Sequence, residues 1–513
     1  MSGYAHDVSA IFREVALRYP DRKAVIWSAD ASVSFAELDR VSDRAARFLR
    51  LHGVGRGDRV CIRLDKCPLA YALIIACLKT GAPYVFLDPD NPAARAAQIV
   101  ATCRPKVVFS AKEAPLPIDG GQVFVVDREN SLGVLDGVPP GAFARGYDVT
   151  GADPAYIMFT SGSTGAPKGA VMSHDNVRHF LAWARSEFAV TPDDVFTNVN
   201  PLHFDNSVVD VYASLFNGAA LVPVDALTLK DPYAIIERIN RLGCTVYFSV
   251  PSLLIYFQTL KLITPGVFPG LRTIVFGGEG YPKTKLKALY DCVHPRVRLV
   301  NVYGPTECTC ICSAYAISAA DFADLDGYPP LGALIPNFSY AILNERDEPA
   351  PPGQTGCLWL AGPGVGLGYF NDAEQTGRAF RQHPLNAWYH ERAYRTGDLV
   401  RLSPEDGKIH FVGREDSQIK HQGYRIELGE IEHALGRVGG VDEVSVLHSS
   451  RDGLSLIVAV VASRDGLTAE TVRTEVARHL PPYMIPSRID VVPELPKNAN
   501  GKIDRKLLRD RYR

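Results

Sequence analysis

Through the first half of the chain, compact apolar runs alternate with stretches whose apolar positions recur every three to four residues. KAVIW, DRVCIRL, PYVFLD and KVVFS read as buried strands, and residues 69–78 as one of the helices between them. Parallel neighbours in a sheet need a crossover, usually a helix, so this alternation from Ala24 to about Val224 predicts an α/β fold with largely parallel sheets. The texture returns in CTVYFSV, LRTIVF and residues 298–303, which predicts a second layered sheet. After Tyr340 it changes to short segments, GCLWLAGPGVG, LVRLS and KIHFVG, separated by Gly, Pro and Asp, and a compact β subdomain is expected. Beyond Gly413 follow a hairpin-like stretch (QIKHQGYRIEL), a helix near residues 427–438, strands near 441–447 and 454–461, and a helix near 469–480. These make a small α+β domain.

Composition narrows the partners. With Lys+Arg 55 against Asp+Glu 57, the net charge of -2 provides no basic field for a nucleic acid or an anionic membrane. The N-terminus carries Asp7, Glu14 and Asp21 through its apolar periodicity, so it reads as an amphipathic helix and not as a secretory signal. The longest dense apolar run, residues 71–78, is too short to cross a bilayer, and a cytoplasmic protein is expected. Ten cysteines without a disulfide framework fit reduced thiols. Cys308, Cys310 and Cys312 alternate as thiols on one face of a strand would; with no CxxC pair and no nearby histidine, packing is expected rather than zinc.

The strongest chemical signal is FTSGSTGAPKG, residues 159–169, after the strand-like AYIM. Thr160, Ser161, Gly162, Ser163, Thr164, Gly165 and Lys168 combine backbone N–H groups that can approach an anion closely with hydroxyl donors and a cation. It reads as a phosphate-binding loop, though not a Walker loop, because Lys168 is followed by Gly169. A flexible linker is the alternative.

This loop resembles the signature of the adenylate-forming superfamily: acyl-CoA synthetases, luciferases and nonribosomal-peptide adenylation domains. Five more segments match in order: VYGPTECT, GCLWLAGPGVGLGYF, YRTGDLVRL, GREDSQIKHQGYRIELGEIE and PKNANGKIDR. SFAELDRVSDRAARFL and LKTGAPYVFLDPDNP extend the likeness over nearly the whole chain. It implies a large adenylation core, residues 1–415, binding ATP and amino acid, and a small mobile C-terminal domain, residues 416–513, that carries the catalytic lysine.

By this resemblance Asp398 would take both ribose hydroxyls, since a carboxylate has two acceptor oxygens. Tyr303 would stack on adenine, with Asn301, Gly304 and Gly277, Gly278 and Glu279 lining the same slot. Glu307 would hold Mg²⁺. Lys502 would bridge the substrate carboxylate and the nucleotide, where two anions converge, and Thr306 and Arg414 would add donors. Asp416 falls at the hinge between domains, and KHQGYR resembles a hairpin that faces the site after domain rotation, with Gln422 where the family usually has arginine. Plainer readings stand beside these: a turn for Asp398, core packing for Tyr303, a polar strand end for Glu307, solvation for Lys502, a loop cap for Asp416.

In HFDNSVVDVYASLF, Asp205 coincides with the aspartate that holds the substrate ammonium in amino-acid-activating relatives; a helix N-cap is the alternative. Val209 shares its helical face. The remaining pocket positions fall on Asn206, Ser252, Ile274, Phe276, Val302, Cys310 and Ile311. None is charged, so a neutral substrate side chain is implied, and Phe276 is expected to shorten the pocket.

The expected function is ATP- and Mg²⁺-dependent adenylation of a neutral, small to medium amino acid, with transfer to the phosphopantetheine thiol of a discrete acyl or peptidyl carrier protein in nonribosomal-peptide or polyketide-type biosynthesis. No carrier segment is evident in the chain, which favours a separate partner. The alternatives are a D-alanine:carrier-protein ligase, an acyl- or aryl-CoA ligase, and a non-enzymatic nucleotide-binding protein; Asp205 argues against the second, and the joint presence of Lys168, Glu307, Asp398 and Lys502 against the third.

Overall fold

A computed structural model describes residues 7–112, 121–144, 149–162, 166–451, 454–463, 466–498 and 503–512. The chain forms two compact units: Met1–Pro89, Cys103–Met158 and Gly169–Glu415 make the first, and Asp90–Thr102, Phe159–Lys168 and Asp416–Arg513 the second. Two short segments expected in the large domain thus group with the C-terminal residues.

The first unit is built on a nine-stranded sheet. Its strands run, from one edge, Ala333–Leu334, Ser313–Ala316, Arg298–Tyr303, Thr273–Gly277, Val246–Ser249, Val195–Asn198, Ala220–Pro223, Lys23–Ile26 and Ser32–Ser34. The middle is parallel and both ends are antiparallel. A seven-stranded sheet has Tyr84–Phe86 at its centre, and Val60–Arg63 runs parallel between it and Val107–Ala111. Five antiparallel strands, among them Thr355–Ala361, Arg392–Leu402 and Ile409–Arg414, form the β subdomain. The layered α/β fold, the β subdomain and the smaller α+β domain are all present.

Local chemistry explains the helices that fill the layers. Ser34 and Glu37 cap Phe35–Leu51 reciprocally. Pro68–Thr80 starts on a proline, ends on Gly81 at φ 70, and is buried on every side, which its apolar sequence allows. Its one cation, Lys79, is matched: the ammonium donates to Asp39 at 2.7 Å, Asp43 at 2.6 Å and Ser42 at 2.7 Å, while Arg13 also pairs with Asp39. Three helices are joined by that cluster. The N-terminal helix is Val8–Arg18, capped by Asp7.

The nine-stranded sheet separates two apolar cores, and successive residues of a strand face opposite ones. On one side lie Phe12, Phe35, Tyr71, Phe180, Val209, Val275, Val302, Cys310 and Ile311; on the other lie Tyr247, Leu254, Ile274, Phe276, Tyr281 and Leu286.

In the second unit Glu443–Arg451, Leu454–Ala462 and Arg488–Val492 form a sheet, and helices Leu428–Leu435 and Ala469–Val476 contribute to its apolar core. Gln418–His421 and Tyr424–Glu427 pair as a hairpin closed by Gln422 at φ 51 and Gly423 at φ 83. Two consecutive positive φ values are what a type I′ turn needs, and it follows the strand twist. Among the described residues no helix is long and apolar enough to cross a membrane.

Candidate active site

In the first unit the candidate nucleotide residues gather where parallel strands end. Thr273–Gly277 and Arg298–Tyr303 are neighbours, with Gly277 opposite Val302, and ligands of open α/β sheets bind outside such carboxyl ends. A Cβ on Gly277 would lie 2.3 Å from the Val302 carbonyl oxygen, so glycine is required for the strands to approach. Gly278 turns the chain away at φ +87, and Gly304 lies so close to Cys310 that a Cβ would meet its carbonyl oxygen at 2.4 Å. Glu279 accepts the Ser252 N–H at 3.2 Å, and Asn301 donates its amide to the Pro330 carbonyl at 2.9 Å.

Asp398 is set by two donors. The Tyr303 hydroxyl reaches Oδ2 at 2.5 Å and the Arg414 guanidinium reaches Oδ1 at 2.5 Å. Arg414 sits directly opposite Asp398 on the paired strand, so sheet register supplies the contact. Burial and the adjacent carboxylate push the Tyr303 hydroxyl well above its ordinary range, which keeps the proton on the phenol and Asp398 as acceptor. Glu307 is fully buried in the turn Thr306–Cys308, where Tyr369 donates to Oε1 at 2.6 Å. A lone hard carboxylate of this kind fits Mg²⁺, which takes one or two carboxylates and completes its shell with phosphates and water. Among the described residues no cluster of three His, Cys, Asp or Glu is placed to hold a metal.

On the amino-acid side, Asp205 stands at the N-cap of Asn206–Val208 but its side chain makes no capping bond. The carboxylate instead accepts the Thr306 hydroxyl at 2.5 Å. The helix continues as a π-helical turn, Val209–Ala213. Such turns concentrate at functional sites. Val209, Val302, Cys310 and Ile311 share one apolar cluster. Ser252 lies in the first turn of Pro251–Thr259.

Two of the pocket candidates stand apart from the rest. Ile274 and Phe276 face the opposite core, where Phe276 packs edge-on against Tyr281 at 5.0 Å between ring centroids. Val275 belongs to the cluster of Val209 and Val302, and Gly277, two residues on, takes the same face. A slip of one residue in a strand exchanges every side chain between faces. The cysteines are also not a strand stripe: Cys308 lies in a turn, and Thr309 and Cys310 have φ 58 and 62. All three are buried and in no disulfide.

In the second unit, the glycine-rich loop leaves the strand Pro154–Thr160. The Thr160 hydroxyl is buried with no hydrogen-bond partner among the described residues, as a donor awaiting an anion would be. Ser161 donates to the Arg425 carbonyl at 2.7 Å and accepts the Glu427 N–H at 3.2 Å. A Cβ on Gly162 would lie 2.0 Å from the Ala166 carbonyl oxygen, so glycine is required at that position. Lys168 opens the next strand, Lys168–Ser173. Asp416 accepts the Gln418 N–H at 3.1 Å, which is the loop-capping geometry. Arg95 and Glu430, both buried, form an ion pair. Ser163, Thr164, Gly165 and Lys502 lie outside the described residues.

The glycine-built slot and the doubly held Asp398 of the first unit fit an adenylate-forming enzyme. The chain belongs to the AMP-binding enzyme family: the AMP-binding enzyme model matches residues 12–370, and the model of the family's C-terminal domain matches residues 430–502. Within it the chain is of the nonribosomal-peptide adenylation type, whose members are amino-acid adenylating ligases. It is 34% identical to surfactin synthase subunit 3 of Bacillus subtilis over 98% of its own length, and spans 39% of that protein. It is 33% identical to the L-proline–L-prolyl-carrier protein ligase of Streptomyces coelicolor, covering 98% of this chain and 96% of the relative. Among solved structures, an NRPS protein containing adenylation and PCP domains, holo-PA1221 bound to a vinylsulfonamide inhibitor, superposes with a TM-score of 0.85 at 27% identity, over 99% of this chain and 85% of that one.

Proposed function

We propose that the enzyme condenses a neutral, small to medium amino acid with ATP to aminoacyl-AMP and pyrophosphate, then transfers the aminoacyl group to the phosphopantetheine thiol of a discrete carrier protein. The observation that carries the amino-acid reading is the Asp205 carboxylate, which caps no helix, is aligned by Thr306 and lies near the buried Cys310 thiol, a member of the apolar cluster of Val209, Val302 and Ile311. A carboxylate there supplies the counter-charge for an ammonium, and fatty or aryl acids have no use for it. Val275, which shares that cluster, is the proposed lining in place of Ile274 and Phe276, with Asn206 and Ser252 completing the pocket. None of these is charged, so a charged substrate side chain would be buried without a partner.

ATP would be held through Asp398 at the ribose, Tyr303, Asn301 and Gly304 with the Gly277–Gly278–Glu279 turn at the base, and the loop from Thr160 to Gly165 with Lys168 at the phosphates. Mg²⁺ bound through Glu307 would neutralise phosphate charge. The buried Thr160 hydroxyl, without a hydrogen-bond partner among the described residues, and the close approach of Gly162 to the Ala166 carbonyl support the phosphate assignment. Thr306 orients Asp205, Arg414 orients Asp398, Lys502 supplies the cation where carboxylate and α-phosphate meet, and Asp416 serves as the hinge between residues 1–415 and 416–513. A carrier partner and a cytoplasmic location fit the carrier-protein ligase among the relatives and ten free cysteines.

The test is substrate-dependent pyrophosphate release across an amino-acid panel, followed by competition between coenzyme A and a holo carrier protein as acceptors. Activation of neutral amino acids and loading of the carrier support the proposal. Release driven only by acids lacking an amino group, or acyl transfer only to coenzyme A, assigns the chain to the acyl-CoA ligases; D-alanine alone as substrate assigns it to the D-alanine ligases.

A further inference from the structure

Around the segment that presents Asp205 lies a buried polar network that no motif announces. Asp210 is completely buried in the π-helical turn. Its carboxylate accepts the Asn198 amide at 2.8 Å, the Asn200 backbone N–H at 3.3 Å and the Asn200 side-chain amide at 3.0 Å. The Asn200 amide also donates to the Phe248 carbonyl at 3.1 Å, and the Asn198 amide to the Asn200 carbonyl at 2.9 Å. Tyr71 donates to the Asn198 side-chain oxygen at 2.7 Å. The Lys66 ammonium, buried as well, donates to the carbonyls of Asn198, Val199 and Val224 at 2.7, 3.0 and 2.7 Å.

The geometry of this network is a closed loop. Asn200 begins the excursion that carries Asp205, Asp210 ends it, and the Asp210 carboxylate ties the two together; Lys66 fixes the strand end from which the excursion leaves. Burying a carboxylate without full pairing is expensive, and burial pushes Asp210 up to about 7 even with the Asn198 and Asn200 amides and Lys66 opposing it. An apolar residue would fill a core position at less cost, so the carboxylate must be retained for what it holds in place.

We propose that Asp210 is a positioning residue for the amino-acid site: by stapling Asn200 to the π-helical turn it fixes where residues 201–209 hold Asp205, and so sets affinity for the substrate ammonium without touching it. This rests on the reading of Asp205 as the ammonium's counter-ion. None of the groups that Asp210 holds is among the candidate nucleotide residues, so the effect should be selective for one substrate.

The test measures KM for the amino acid and for ATP separately, with kcat, in Asp210→Asn, which is isosteric and removes the charge, and in Asn200→Ala, which removes the bridging amide while leaving the carboxylate. Loss of charge-assisted hydrogen bonds should raise the amino-acid KM about tenfold or more in both, with the ATP KM within about twofold of wild type. Combined with Asp205→Ala, Asp210→Asn should add no further loss, because nothing remains to be positioned. Equal rises for both substrates, or an unchanged amino-acid KM, would overturn the proposal. If Asp210→Asn does not fold, Asn200→Ala decides it alone. Asp205→Ala run in parallel separates the two ideas: retained amino-acid activation there defeats the reading of Asp205, whereas its loss together with a normal amino-acid KM in the other two variants defeats only the positioning role.

Discussion

Thr306 donates its hydroxyl proton to Asp205 across 2.5 Å, joining the turn that follows the Arg298–Tyr303 strand to the segment that presents the candidate ammonium ligand. Thr306→Val keeps the shape and deletes the donor. Amino-acid kcat/KM should fall about tenfold to a hundredfold, the worth of a hydrogen bond to a charged group, and ATP affinity should hold. Steady-state kinetics with each substrate varied in turn measures both.

Asp398 is held between Tyr303 and Arg414, and the nucleotide end of the account turns on that carboxylate. Asp398→Ala removes an acceptor pair that two ribose hydroxyls would use. The ATP KM should rise about tenfold or more, with 2′-deoxy-ATP losing far less than ATP does, since one of the two hydroxyls is already absent. Comparing the two nucleotides in wild type and variant checks this.

The exchange of pocket faces yields a contrast within one strand. Val275→Gly should shift the amino-acid ranking towards bulkier neutral side chains, because it opens space on the face of Val209 and Val302. Phe276→Ala should leave the ranking alone and cost about 3–5 kcal/mol of stability, because it empties a site packed against Tyr281 in the other core. The panel assay and denaturant unfolding separate the outcomes.

His174 gives the fold a weakness to acid. Buried, it accepts the Val8 N–H on Nδ1 at 3.1 Å, which requires the neutral ring, and burial lowers it to about 4 despite Asp7, Asp153 and Asp175 nearby. The folded value lies below the unfolded one of about 6.5, so this contribution to stability is complete above about pH 6.5 and is lost as pH falls to about 4. The loss amounts to about 3 kcal/mol at roughly 1.4 kcal/mol per pH unit. His174→Asn, which keeps an acceptor, should show a shallower fall in melting temperature across that window than the wild type.

Much of the fold was legible because apolar runs and their spacing record which surfaces are buried: the α/β layers, the β subdomain and the C-terminal hairpin all lie where the pattern put them. The slot glycines came from the family resemblance and not from the pattern; the structure adds that a Cβ on Gly277 would meet the Val302 carbonyl oxygen. That Ile274 and Phe276 fall in the other cluster could not be read from the sequence, because an apolar residue suits either side of a sheet buried on both faces and composition alone carries no parity there. Asp210, Asn198, Asn200 and Lys66 were invisible for another reason: a strand end, the loop after it, the π-helical turn and the distant Lys66 meet only in the folded chain, and each alone looks like an ordinary surface residue. Grouping Asp90–Thr102 and Phe159–Lys168 with residues 416–513 likewise has no local signal.

The central claim is that this enzyme adenylates amino acids through Asp205. The most direct measurement is amino-acid-dependent exchange of labelled pyrophosphate into ATP, made with wild type and Asp205→Ala side by side, with ATP affinity determined independently by equilibrium binding. Exchange driven by one or a few neutral amino acids in the wild type, reduced by orders of magnitude in Asp205→Ala while ATP binds normally, is the expected result. Exchange that persists in Asp205→Ala, or that responds equally to the same acids stripped of their amino group, would contradict the account.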